Sequence, residues 1–153
     1  MNIVDPNKIV LAIAGYGYDW EEGKTGKPVT YKQALALAKT YNSPILFDSD
    51  TYNCHFSYRD GAGKNHTVYF VDAAGNFNTL RFSDDAGFAG TALWRLGSED
   101  NRIWSFYGRD LRSKSLKEKP FDFTPMKSLT TQIVQPDYIG DGEVLDIITE
   151  PFP

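Results

Sequence analysis

Two apolar segments, each ending in glycines and aromatics, set the strongest limit on the fold. Residues 9–14 are apolar at every position and run into Gly15, Tyr16, Gly17, Tyr18, Asp19 and Trp20. Residues 88–96 form the second segment, interrupted only by Thr91 and Arg95. It is rich in small residues and delivers Trp94 near its C-terminal end, before Gly97, Ser98, Glu99 and Asp100. An apolar run without alternation fits a strand covered on both faces, as in parallel sheets. In parallel α/β proteins, ligands gather at the C-terminal ends of strands. A large flat aromatic placed there can carry a sugar ring, whose C–H-rich face packs on the indole. The expected class is therefore α/β, with the two segments as parallel neighbours in a slice of barrel wall.

Between these segments the pattern changes. Thr30, Tyr31, Lys32 and Gln33 fit a capping box, in which the Thr30 hydroxyl and the Gln33 side chain satisfy each other's backbone amides. A helix follows, with Tyr31, Leu35 and Ala38 on one stripe, ending near Asn42 and Pro44. Residues 44–47 read as a short strand. Cys54, Phe56 and Tyr58 alternate with polar residues, Asp60–Gly63 makes a turn, and residues 65–71 return. The hairpin and helix together suggest an α+β subdomain over about residues 28–72. Residues 73–86 read as helical, with Phe77, Leu80 and Phe82 as apolar positions. Ser98 is expected to cap a short helix with Ile103, Trp104, Phe106 and Tyr107 inward. Residues 112–119 are basic and polar and read as a linker. Residues 129–134 and 143–149 read as strands of a β-rich tail. The expected division is 1–110 and 111–153.

Composition removes several classes of function. The net charge of −4 over 153 residues offers nothing to the phosphate backbone of a nucleic acid. No apolar run reaches the ~18 residues of a membrane-spanning helix. The single cysteine, Cys54, excludes an internal disulfide and reads as a small buried hydrophobe. His55 and His66, placed on facing strands, are expected diagonally on one face. Two imidazoles without a third ligand make a poor zinc site. No metal and no cofactor is expected.

Paired carboxylates bring glycosidic chemistry to mind. The candidates are Glu21/Glu22, Asp84/Asp85 and Glu99/Asp100. Neighbours in a helix point ~100° apart and do not face one another. Asp84/Asp85 reads as a solvated helix face, and Glu99/Asp100 as acids favouring a helix N-terminus. Asp19 follows a strand end between two aromatics, where a cleft role and a turn-forming role both fit.

Residues 8–20 resemble the seventh strand of the family 18 glycoside hydrolases, the chitinase-like TIM barrels. The similarity is to the spore-cortex branch, which carries Tyr-Gly-Tyr-Asp-Trp there, as Tyr16–Trp20 do here. Residues 28–72 resemble the small α+β domain inserted after that strand, and residues 87–97 resemble the eighth. The resemblance covers about residues 5–108. It implies that six of the eight strands lie upstream of Met1, read as a boundary within a longer polypeptide. The family's catalytic Asp-x-x-Asp-x-Asp-x-Glu occurs nowhere in the sequence, so no catalytic residue carries over. In the family that glutamate protonates the leaving oxygen while the substrate's own N-acetyl group attacks. Trp94 carries over as the floor of a sugar subsite, and Tyr16, Tyr18 and Asp19 match cleft-lining positions. Residues 137–153 resemble the linker joining such a module to a polysaccharide deacetylase and a membrane-bound family 2 glycosyltransferase. That similarity implies a membrane-associated or extracellular bacterial parent.

The expectation is a carbohydrate-binding segment, not catalytic alone. Trp94 stacks a pyranose, Tyr16 and Tyr18 shape the groove, Asp19 and Glu99 bond hydroxyls, and Trp20 is a further substrate-binding residue. The expected partners are a polysaccharide containing N-acetylglucosamine and the rest of the parent chain. The alternative is a structural spacer or interaction module. Unpaired barrel edges also predict self-association.

Overall fold

The computed structural model describes residues 4–120 and residue 122. Strands β1 (Val10–Ala14) and β7 (Gly90–Trp94) pair in parallel, with Ala12 opposite Ala92 and Ala14 opposite Trp94. This is the partial barrel of the expected class, two parallel strands with helices. Period-two alternation sends Leu11, Ile13 and Leu93 to one face, where they meet α2 (Ala73–Asp85). Ile13, Phe77, Leu80, Ile103 and Phe106 make the buried core there. Val10, Ala12, Ala92 and Trp94 are exposed, so among the described residues one face of this wall is covered rather than both.

The second sheet is antiparallel, in the order β3-β2-β6-β5-β4. Its strands are β2 (Gly17–Glu21), β3 (Lys27–Val29), β4 (Leu46–Asp48), β5 (Asn53–Arg59) and β6 (Asn65–Phe70). The sheet therefore takes in chain N-terminal to residue 28. Helix α1 (Tyr31–Thr40) covers one face, packing Tyr31, Ala34 and Ala38 against Cys54, Phe56, Val68 and Phe70. The capping box is present. Thr30 Oγ accepts from the Gln33 amide at 3.1 Å, and Gln33 Oε1 accepts from the Thr30 amide at 2.8 Å. A cap of this kind contributes about 1 kcal/mol.

Several local expectations are corrected. His55 and His66 lie on opposite faces, because Tyr58 pairs with His66 while His55 pairs with Tyr69. A one-residue offset in register exchanges the two faces of a strand. Phe82 is exposed, and its ring meets Phe88 rather than the core. Asp100, not Ser98, caps the 3₁₀ turn Asn101–Ser105, and Trp104 on that turn is exposed. The stretch read as a linker holds a third helix, α3 (Ser113–Glu118), and buries Leu111 and Leu116 in the barrel-side core. Asp84 and Asp85 hold it there. Asp84 accepts from the Leu111 amide at 2.7 Å, and Asp85 accepts from the amide and hydroxyl of Ser113 at 2.8 Å each. Partial burial raises the Asp84 carboxyl above the ordinary aspartate range. The expected tail strands lie outside the described residues.

The chain passes between the two sheets through Gly15 and Gly17. A Cβ on Gly17 would strike the Tyr69 carbonyl oxygen and stand 2.9 Å from Phe70 Cα, both on the neighbouring strand. Backbone cannot yield there as a side chain could, so Gly17→Ala is expected to destabilise by about 3 kcal/mol or more. Urea denaturation followed by circular dichroism measures the change.

Candidate functional site

Trp94 closes β7 at the C-terminal end of the parallel pair, where the Gly15 amide donates to its carbonyl at 2.7 Å. The peptide between Trp94 and Arg95 is cis. Trp94 is 68% exposed. It borders a cleft of about 200 Å³ that Tyr16 and Tyr18 also line, together with Thr30, Gln33 and Arg95. The cleft lies at the junction of the two sheets. The barrel side supplies Trp94 and Arg95, and the insertion side supplies Tyr18 and the N-terminus of α1. Tyr16 and Tyr18 meet edge to face, with centroids 5.6 Å apart. Arg95 is steadied by donation from its Nε to Ser98 Oγ at 3.3 Å.

Three of the residues singled out from the sequence, Trp94, Tyr16 and Tyr18, thus come together. The other three stand apart from this cleft. Trp20 lies two residues further along β2, on the same face as Tyr18, with ring centroids 5.3 Å apart. Asp19 points to the opposite face of β2. Its Oδ1 lies 2.9 Å from His66 Nδ1, and its Oδ2 accepts from the Tyr58 hydroxyl at 2.8 Å. Glu99 is buried, with its Cβ beside Gly15, and its Oε1 accepts from the Trp104 indole at 3.2 Å.

Arg95, Thr30 and Gln33 were missed as cleft residues. The capping box marked Thr30 and Gln33 only as a helix start, and nothing local brings residue 30 beside residue 94. Their meeting follows from Asp100. The Asp100 carboxylate accepts from the Ala73 amide at 3.0 Å and pairs with Arg102, whose guanidinium also donates to the Tyr31 hydroxyl. The Tyr31 amide donates to the Ser98 carbonyl at 2.8 Å. Burial, followed by the neighbouring Asp100 charge, raises the Tyr31 phenol well above the ordinary tyrosine range.

No family model matches the chain. The chain is 31% identical over 104 residues to the cortical fragment-lytic enzyme of Bacillus anthracis, covering 65% of this chain and 24% of that protein. A chitinase of Chromobacterium violaceum superposes with a TM-score of 0.63 at 31% identity, over 67% of this chain and 32% of that one. A GH18 chitinase from Cycas revoluta, crystallised with (GlcNAc)4, shares the fold at a TM-score of 0.52 and 16% identity, over 65% of this chain and 31% of that one. The chain spans about a quarter of the length of the curated relatives it matches. In sequence and in fold it resembles a segment of the chitinase-like family 18 glycoside hydrolases.

Among the described residues there is no cluster of three or more metal-ligating side chains, and no helix is long and apolar enough to cross a membrane. The position of Asp19 has a measurable consequence. Burial first, and then the hydrogen bond to Asp19, hold the Tyr58 phenol protonated above the ordinary tyrosine range. The neutral form is favoured in the folded protein, so stability is full below that range and falls as pH rises beyond it. Asp19→Asn is expected to lower the Tyr58 ionisation midpoint, read by ultraviolet titration of the tyrosines.

Proposed function

We propose that the Trp94 cleft binds a polysaccharide containing N-acetylglucosamine, as one wall of a glycoside hydrolase-like module. The observation that carries this reading is the exposed indole at the C-terminal end of a parallel strand pair, with two tyrosines beside it and polar groups around it. A pyranose laid on Trp94 buries its C–H face, while Arg95, Thr30 and Gln33 stand within the same cleft for hydroxyl and amide groups. The chitinase-like neighbours support a chitin-type ligand, and one of them was crystallised with (GlcNAc)4. The chain carries no catalytic signature of its own, so its role is to hold the glycan and not to cleave it.

The second reading is an interaction module, favoured by the exposed face of the barrel wall. Val10 is 60% exposed there, and Leu96 beyond Trp94 is also exposed. On this reading that face packs against the rest of a longer polypeptide or a second copy of the chain. The likeness of residues 137–153 to an interdomain linker extends the proposal. The module then works beside polysaccharide deacetylase and glycosyltransferase domains in a bacterial envelope protein.

Isothermal titration of the 153-residue chain with N-acetylchitotetraose separates the readings. Binding that Trp94→Ala weakens by about tenfold, the loss of roughly 1.4 kcal/mol of ring stacking, supports the glycan reading. Absence of heat at millimolar sugar favours the interaction module. Release of shortened oligosaccharides by the chain alone contradicts the non-catalytic role.

A further inference from the structure

The rings that line the Trp94 cleft do not stop at its edge. Tyr18 and Trp20 alternate to one face of β2, the face turned away from α1. Tyr69 is the cross-strand partner of Tyr18, and Thr67 is the partner of Trp20. The Trp20 and Tyr69 rings meet edge to face at 6.1 Å, and Tyr69 stacks on His55 at 5.2 Å. A continuous row of rings therefore runs from Tyr16 across the outer face of the antiparallel sheet.

The row borders a second cleft of about 470 Å³ beside Trp20, lined by Glu22, Lys24, Asn65 and Thr67. The indole is held in place and still open. Gly26 lies so close that a Cβ there would stand 2.7 Å from Trp20 Cε2, yet Trp20 remains 39% exposed. The polar rim is ordered as well. Asn65 Nδ2 donates to Glu22 at 3.2 Å, and Lys24 pairs with Glu21 at 2.7 Å. With Glu21, Glu22 and Lys24 around it, the cleft carries more negative than positive charge and disfavours a polyanion.

We propose that this outer sheet face is a second glycan-binding site, centred on Trp20, for a neutral pyranose chain. It rests on the reading of Trp94 as a sugar platform only for the identity of the ligand. The chemistry is its own. An ordered indole takes the C–H face of a sugar, and an amide, a hydroxyl and carboxylates stand at its edge for the hydroxyls. The line Tyr16–Tyr18–Trp20 joins the two clefts, so one long glycan can reach both and gain effective concentration.

The test is an amide NMR titration of the 153-residue chain with N-acetylchitotetraose. The expected result is two sets of shifts, one at residues 94–98 and one at residues 20–24 and 65–69. Trp20→Ala is expected to erase the second set and keep the first, and Trp94→Ala to do the reverse. Asn65→Ala, which spares the ring, is expected to weaken the second set alone, and it decides the matter if Trp20→Ala unfolds. Shifts only at residues 94–98, or loss of both sets together in a folded Trp20→Ala, overturn the second site and leave the Trp94 reading intact. Shifts only at the second site support it and overturn the Trp94 reading. Silence at millimolar sugar overturns both.

Discussion

The buried carboxylate of Asp100 holds the two halves of the structure in one arrangement. It accepts from the Ala73 amide at the start of α2, whose N-cap is Asp72, and it fixes Arg102, which reaches the Tyr31 hydroxyl at the start of α1. One helix covers the barrel wall and the other covers the antiparallel sheet. A charge buried this deeply is tolerated only when paired and fully hydrogen-bonded, and removing one partner of such a pair costs about 3–5 kcal/mol. The cleft at Trp94 exists because this junction brings the N-terminus of α1 beside the end of β7. The setting of Trp94 thus depends on a side chain that does not line the cleft.

The parallel pair was legible because the run from Ile9 to Ala14 carries no alternation, and because it and the small-residue stretch through Trp94 each lead to aromatics with glycines nearby. The helix over Tyr31–Thr40 was equally plain, since its start is written in Thr30 and Gln33. Gly17–Glu21 was harder. Read from the barrel side, these residues continue a strand end into the cleft. In the structure Gly17 begins the second strand of a different sheet, and the period-two rule then divides Tyr18 and Trp20 from Asp19. Nothing in the local sequence says that β2 pairs with β6, about fifty residues away. The placement of Asp19 against Tyr58 and His66 therefore lay beyond any local reading.

The same limit explains the acids near the C-terminal side. Asp84 and Asp85 look like solvated helix charges until residues 111–113 fold back onto them. Leu111 and Leu116, two apolar residues in a basic stretch, were the available signal that this segment is core and not linker. Glu99 shows the reverse case. Its position after an aromatic strand end suggested a sugar contact, but it is buried beside Gly15 and bonded to Trp104, outside the cleft lining.

The most direct test of the junction's role uses Asp100→Asn, which keeps the shape of the side chain and removes its charge. Nuclear Overhauser contacts between Tyr31 and Arg102 report the junction, and sugar-induced shifts at Trp94 report the cleft in the same sample. The result expected is loss of both together while the methyl signals of Ile13 and Val68 keep each core folded. Undiminished sugar shifts at Trp94 after the Tyr31–Arg102 contacts have vanished would contradict the claim that Asp100 builds the site.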